Sequence, residues 1–248
     1  MCDLVLTYLK PTVSYPTLKI EIGIDEAGRG PLFGRVYAAA VAISDDFDPI
    51  VGNVKDSKKY GKHIKPTSTK SIESAATYVK EHSTWHVSFL EAGAIDQINI
   101  LAATQECMND ALNNVRLKLG LPVSQVVAIV DGNCFMSKSI YDPTIQTFMC
   151  IDYVTVVKGD SIVASIAAAS VLAKTARDAY ILDLCEQHPK LDEMYDIASN
   201  KGYGAKKHLA GLHEHGITKW HRKTFGCCKT LPHNQLINLD SNPENIHN

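Results

Sequence analysis

The stretch IEIGIDEAGRGPLFG, residues 20–34, decides how this chain is read. Its apolar run at 20–24 ends in two adjacent carboxylates, Asp25 and Glu26. A glycine-rich turn, Gly28-Arg29-Gly30-Pro31, follows, and a second apolar run occupies 36–43. That order predicts a strand, an acidic tip, a tight turn and a second strand pairing back on the first. Side chains alternate faces along a strand, so Asp25 and Glu26 share a pocket only if the chain bends there. Otherwise one of them contributes through a distorted strand end or its backbone carbonyl.

A strand running into Gly-x-Gly invites a dinucleotide-binding reading, but that motif requires Gly-x-Gly-x-x-Gly at the start of a helix. Here the third glycine, Gly34, comes one position late, Pro31 interrupts, and residues 36–43 lack helical periodicity. Working outward, the same pattern recurs twice. The apolar run 126–130 delivers Asp131, with Gly132-Asn133 turning away, and the run 153–157 is followed by Lys158-Gly159-Asp160.

The rest of the chain supplies helices to cover such a sheet. Helical spacing is expected over 68–81 and, most clearly, as one continuous helix over 95–119, where Ile98, Leu101, Gln105, Met108, Leu112, Val115 and Leu119 make a stripe. Residues 85–90 alternate like a strand. An Ala-rich helix over 161–186 would approach the sheet closely, with Asp160 at its N-cap. Asp178 would lie too far along that helix to share an ion with Asp160, and is read as an ion pair with Arg177. An irregular acidic segment follows Pro189, and a further helix is expected over 205–215.

Composition bounds the function. At 248 residues, with 45% hydrophobic and 21% charged residues, the chain can bury a full core. No apolar run reaches membrane-spanning length and no leader-like N-terminus is present, so a cytoplasmic protein is expected. The seven cysteines form no Cys-x-x-Cys pair and read as reduced thiols. His208, His213, His215, His221 and Cys227-Cys228 lack finger-like zinc spacing. The net charge is only -2, but it is uneven. Residues 52–70 carry six lysines against Asp56, and 199–229 carry seven basic residues against Glu214. Local fields of this kind suit phosphate contact.

Acids at the ends of neighbouring strands converge at one sheet edge. Crowded carboxylates repel unless a cation neutralises them, and hard oxygen donors favour Mg²⁺ or Mn²⁺. A pair of such ions can activate water and stabilise the leaving oxygen of a phosphodiester. The segments GIDEAGRGPL (23–32), DSKK (56–59), IDQINILAAT (95–104), VDGN (130–133), VVKGDSIVASIAAASVLAKTARD (156–178), NKGYGAKKH (200–208) and HRKTF (221–225), in this order, resemble the type 2 ribonuclease H family (ribonuclease HII), its bacterial branch most closely.

The resemblance implies an α/β fold, a ribonuclease H-like mixed sheet flanked by helices, with a small C-terminal helical region. It divides the chain into an N-terminal extension (1–18), a catalytic domain (19–190), a substrate-binding helical region (191–229) and a disordered tail (230–248). It implies two-metal hydrolysis of the RNA strand of RNA/DNA hybrids, and incision 5′ to single ribonucleotides in duplex DNA, leaving 3′-hydroxyl and 5′-phosphate ends, by a monomer. Asp25, Glu26, Asp131 and Asp160 would be the catalytic, metal-binding acids. Gly28, Arg29 and Gly30 would read the ribose 2′-hydroxyl, Tyr203 would pack on the next sugar, and Ser57, Lys58 and Lys174 would contact phosphate. Phe33 and Arg35 depart from the family's usual small residue and proline, and a few extra residues separate Asp178 from Tyr203. A DNA nuclease or integrase on the same sheet, or a non-catalytic nucleic-acid-binding module, are the rival readings.

Overall fold

The computed structural model describes residues 4–9, 19–61, 68–143 and 145–234. Its centre is a five-stranded sheet made of β1 (Ile20–Ala27), β2 (Val36–Ile43), β3 (Ser83–Leu90), β4 (Val126–Asp131) and, after a separate hairpin of β5 (Ser139–Asp142) and β6 (Thr147–Cys150), β7 (Asp152–Val156). The order is β3-β2-β1-β4-β7. The glycine turn makes β1 and β2 antiparallel, β3 continues antiparallel, and β4 and β7 return parallel to β1. This is the mixed sheet expected from the sequence.

The helices are α1 (Ile72–Glu81), α2 (Ala92–Ile98), α3 (Ile100–Lys118), α4 (Ala164–Gln187), α5 (Lys190–Tyr195), α6 (Ile197–Asn200) and α7 (Lys206–His215). Ile22, Ile24, Val36, Ala38 and Ala40 send their side chains to the face covered by α3, where they meet Cys107, Met108, Ala111, Leu112 and Val115. Removing an isoleucine such as Ile22 or Ile24 from water stabilises the fold by roughly 1.5–3 kcal/mol. The other face of β2, Ala39 and Val41, packs on the Ala-rich side of α4 and on α1. Covered on both sides, β2 and β4 read as unbroken apolar runs.

Close approach of α4 to β1 depends on Gly23. A Cβ there would sit 2.3 Å from the backbone of Ser165. Beyond the sheet, the C-terminal half of α4 joins α5, α6, α7 and Phe33 in a second cluster around Ile181, Tyr195, Ile197 and Leu212.

Several expectations need correction. The single helix over 95–119 is two, because Asn99 adopts a left-handed φ of 66° and caps α3 by accepting from the Ala102 N–H. Ile98 and Leu101, beside that break, are exposed. Gln105 belongs to the inner stripe because its amide holds Cys134 O and the Met136 N–H. Asp160 is not an N-cap: it lies in a 3-10 turn, Gly159–Ser161, and α4 begins after Val163 with no side-chain cap. The segment after Pro189 is helical, and the β5–β6 hairpin was not anticipated.

Within the N-terminal extension, Val5 bridges to Val163, and the Tyr8 and Leu9 N–H groups donate to the Glu21 carboxylate. Of the tail, residues 230–234 are ordered, with Ile217 bridged to His233 and Asn234 buried; the remainder lies outside the described residues.

Candidate metal centre and nucleic-acid interface

Strand register assembles the acids. Ile24 of β1 pairs with Val130 of β4 in parallel, so Asp25 and Asp131, one residue on, stand side by side on the α4 face. Asp131 pairs with Val156 of β7, and the turn after β7 carries Asp160 back over the strand ends. The Gly159 N–H donates to Asp131 Oδ1 at 2.7 Å, fixing that turn. Carboxylate oxygens of Asp25, Asp131 and Asp160 lie within 4.8 Å of one another.

Glu26 is not in this group. The strand stays regular through Ala27, which still pairs with Tyr37, and alternation sends the Glu26 side chain to the opposite face, where Arg29 donates to it at 3.1 Å. Its main chain remains beside the site, since the Glu26 N–H donates to Asp25 Oδ1 at 2.7 Å.

Burial, then the charges of Glu26 and Asp131, push the Asp25 carboxyl well above the usual carboxylate range. Asp160 is raised by burial and by Asp56. Like-charged oxygens desolvated together cost energy that a divalent cation would offset, so the donor set fits a hard oxygen-loving ion. Among the described residues, Lys58 supplies a positive charge to the cluster, 3.3 Å from Asp160. Burial depresses the Lys58 ammonium, but Asp160 more than compensates and raises it overall.

Lys58 comes from the DSKK segment, which a 3-10 turn docks against the site. Asp56 caps that turn by accepting from the Lys58 N–H, Lys59 donates to Ser161 Oγ, and Ser170 of α4 donates to Ser57 Oγ at 2.9 Å. Lys174 lies one helical turn beyond Ser170 and pairs with Asp178 at 2.7 Å. Asp178 is therefore the hydrogen-bonded partner of Lys174, while the Arg177 guanidinium donates to backbone carbonyls instead. A cleft of about 810 Å³ opens on the Asp160 side, walled by Leu4, Leu6, Phe47 and Val54.

The glycine turn is held from behind by a residue that sequence reasoning had not singled out. Arg222 is fully buried and donates to the carbonyls of Gly28, Arg29, Pro31, Gly34 and Arg35, at 2.6 to 3.0 Å. Burial, then Arg177, lower its guanidinium to about 9, so it stays charged at neutral pH. In a trans peptide the C=O of one residue points opposite to the N–H of the next. Pulling the Gly28 and Arg29 carbonyls toward Arg222 therefore turns the Arg29 and Gly30 N–H groups away from it.

Arg177, also buried, joins this turn to the next loop by donating to Phe33 O and Lys201 O. Gly28, at φ 91°, is required here, since a Cβ would lie 2.4 Å from Arg177 Nε. Tyr203, half exposed, sits across from Gly30, its ring 3.7 Å from where a Gly30 Cβ would be. The two departures are absorbed locally. Phe33 packs edge-on against His221, and Arg35 is sandwiched between Phe89 and Tyr180 while paired with Glu91.

The family model described as ribonuclease HII matches residues 22–228. A ribonuclease HII of Phocaeicola vulgatus is 39% identical over 213 residues, covering 86% of this chain and 92% of its own. One from Neisseria meningitidis is 38% identical over 219 residues, covering 88% and 98%. Both sources are bacterial, in line with the branch that the sequence segments resemble. The solved ribonuclease H2 of Pyrococcus horikoshii superposes with a TM-score of 0.60 at 21% identity, covering 84% of this chain and 95% of that one, and speaks to the fold.

Proposed function

The chain belongs to the ribonuclease HII family, and from that premise we propose that it is an endoribonuclease that hydrolyses the RNA strand of RNA/DNA hybrids and incises 5′ to single ribonucleotides in duplex DNA. Membership makes it a type 2 ribonuclease H, a hydrolase. The observation that carries the finer reading is the convergence of Asp25, Asp131 and Asp160 next to a turn whose Gly28 and Arg29 carbonyls are drawn onto Arg222, which turns the following amides away from it.

Asp25, Asp131 and Asp160, whose carboxylate oxygens converge, would hold two Mg²⁺ or Mn²⁺ ions. Glu26 would join through its main-chain carbonyl. When bound, the ions would activate the attacking water and neutralise the leaving 3′ oxygen, giving 3′-hydroxyl and 5′-phosphate ends. The Gly28-Arg29-Gly30 backbone would hydrogen-bond the 2′-hydroxyl, the atom that distinguishes RNA from DNA. Tyr203 would pack on the following sugar. Lys58, displaced from Asp160, would face the scissile phosphate, with Ser57 and Lys174 on flanking ones. The basic segment 199–229 would hold the duplex, and the protein would act as a monomer. Among the described residues all cysteines are free and no helix is long and apolar enough to cross a membrane; the free thiols fit the expected cytoplasmic setting.

The test is cleavage of three duplexes with each ion: an RNA/DNA hybrid, a DNA duplex with one ribonucleotide, and an all-DNA duplex. The first two should be cut and the third spared; equal cutting of all three would favour a DNA nuclease on the same sheet. Binding of all three without cation-dependent cleavage would favour a non-catalytic module. Asp131→Asn should lower the rate by about 10³-fold or more with the fold intact by circular dichroism, as expected when a metal-binding charge is removed.

A further inference from the structure

Two histidines that the proposed chemistry does not use form a directed chain ending at Tyr203. Both rings are completely buried. The Thr218 backbone N–H, which can only donate, reaches His221 Nδ1 at 2.9 Å. Nδ1 therefore accepts, and the proton of the neutral ring sits on Nε2. That nitrogen is 3.0 Å from His208 Nε2, which must accept in turn. The His208 proton is thus on Nδ1, 2.8 Å from the Tyr203 carbonyl, a pure acceptor. One end of the chain is fixed as donor and the other as acceptor, so both tautomers are determined.

We propose that His208 and His221 are positioning residues that set the place of Tyr203 opposite Gly30 through this chain of hydrogen bonds. The inference rests on the proposed role of Tyr203 as the sugar contact. The same carbonyl also accepts from Ala205, so its direction is fixed by two donors, and the Tyr203 ring follows the backbone that carries it.

The surroundings suit rings that stay neutral. The centroid of the Phe33 ring lies 4.9 Å from that of His221, and the Tyr195 centroid of α5 lies 5.2 Å from His221 and 6.2 Å from His208. The Tyr195 hydroxyl is engaged by Gly216 O and Asn234, and the His215 ring of α7 meets the Tyr195 ring edge to face at 6.0 Å between centroids. The charged neighbours, Arg222 and Arg177, direct their guanidinium groups to the carbonyls described above. Burial lowers both imidazoles, His221 the more strongly, with His208 as its second cause. Protonating His208 would set a second donor against His221 Nε2–H in the middle of the chain, and protonating His221 would set an Nδ1 donor against the Thr218 N–H at its start.

The experiment uses the full chain with Mg²⁺ and the single-ribonucleotide duplex. His208→Ala should raise KM about tenfold, the size of one lost hydrogen bond, with kcat changed less than about threefold. His208→Asn, whose amide nitrogen replaces Nδ1, should recover most of the loss. In a Tyr203→Ala background, His208→Ala should add nothing. Nitrogen-15 spectra of the unmodified protein should place protons on His221 Nε2 and His208 Nδ1. Opposite tautomers, an imidazolium at pH 7, additive effects in the double variant, or no rescue by asparagine would overturn the inference. If Tyr203→Ala alone leaves KM unchanged, the sugar-contact reading falls instead, while the spectra still decide whether the chain exists.

Discussion

Asp25 carries the sharpest residue-scale consequence. Its carboxylate is buried against two other acids, so in the absence of a cation it costs stability. Asp25→Asn should raise Tm in chelator by about 2–4 °C, the shift expected for about 1 kcal/mol in a protein of this size, and should abolish the further rise on adding Mg²⁺. A lower Tm in chelator would mean that the acids are not repelling. Arg222 makes the complementary case. Lysine keeps the charge but cannot fork to five carbonyls. Arg222→Lys should lower kcat/KM on a ribonucleotide-containing duplex about 100-fold while affinity for an all-DNA duplex, measured by anisotropy, stays within about threefold. An equal loss of both would assign Arg222 to general folding. The acids were legible because each ends an apolar strand-like run. Arg222, Arg177 and the histidine pair were not, because their partners are backbone carbonyls and amides chosen by the fold, with nothing in local spacing to announce them.

At the scale of elements, the contact between α4 and β1 sets the depth of the site, because α4 supplies Ser170 and Lys174. Gly23→Ala would force the helix off the strand and should destabilise the fold by about 1–3 kcal/mol or more in chemical denaturation, since backbone atoms cannot yield as a flexible side chain would. Near-native stability would show that α4 slides without cost. The strands of the sheet and the long helices were readable from periodicity, as was the Ala-rich approach of α4. The break at Asn99 was not, because the residues on either side keep helical spacing and only a left-handed φ reveals the cap. The short helices α5 and α6 escaped for a different reason: they are held by Leu191, Tyr195 and Ile197 in the second cluster, and lack the length that makes a period visible. The β5–β6 hairpin has short, largely exposed strands, with Tyr141 edge-on to Phe148, and so gives little burial signal.

Across the whole molecule, the buried imidazoles predict how stability depends on pH. Their folded values lie below the ordinary 6.5, so the unfolded chain takes up protons first as pH falls. Their contribution is complete above pH 6.5 and is lost as pH drops toward the depressed values, at up to about 1.4 kcal/mol per pH unit for one ring. Asp25 and Asp160, raised by burial, act with the opposite sign. The histidine part is therefore read as the difference between the unmodified protein and His221→Asn in denaturation at pH 5, 6 and 7; an unchanged slope would contradict it.

The pairing of Ile24 with Val130 and of Asp131 with Val156 has a wider consequence. Distances among the acids are measured out by rungs of a ladder, and the excursions between strands take no part in the measuring. Connections that lie off the sheet can then be lengthened without retuning the chemistry, whereas a single residue added inside β4 would rotate Asp131 to the wrong side. The architecture is tolerant in its outline and exacting at its centre, which leaves a lineage free to remodel what the site touches without rebuilding the site.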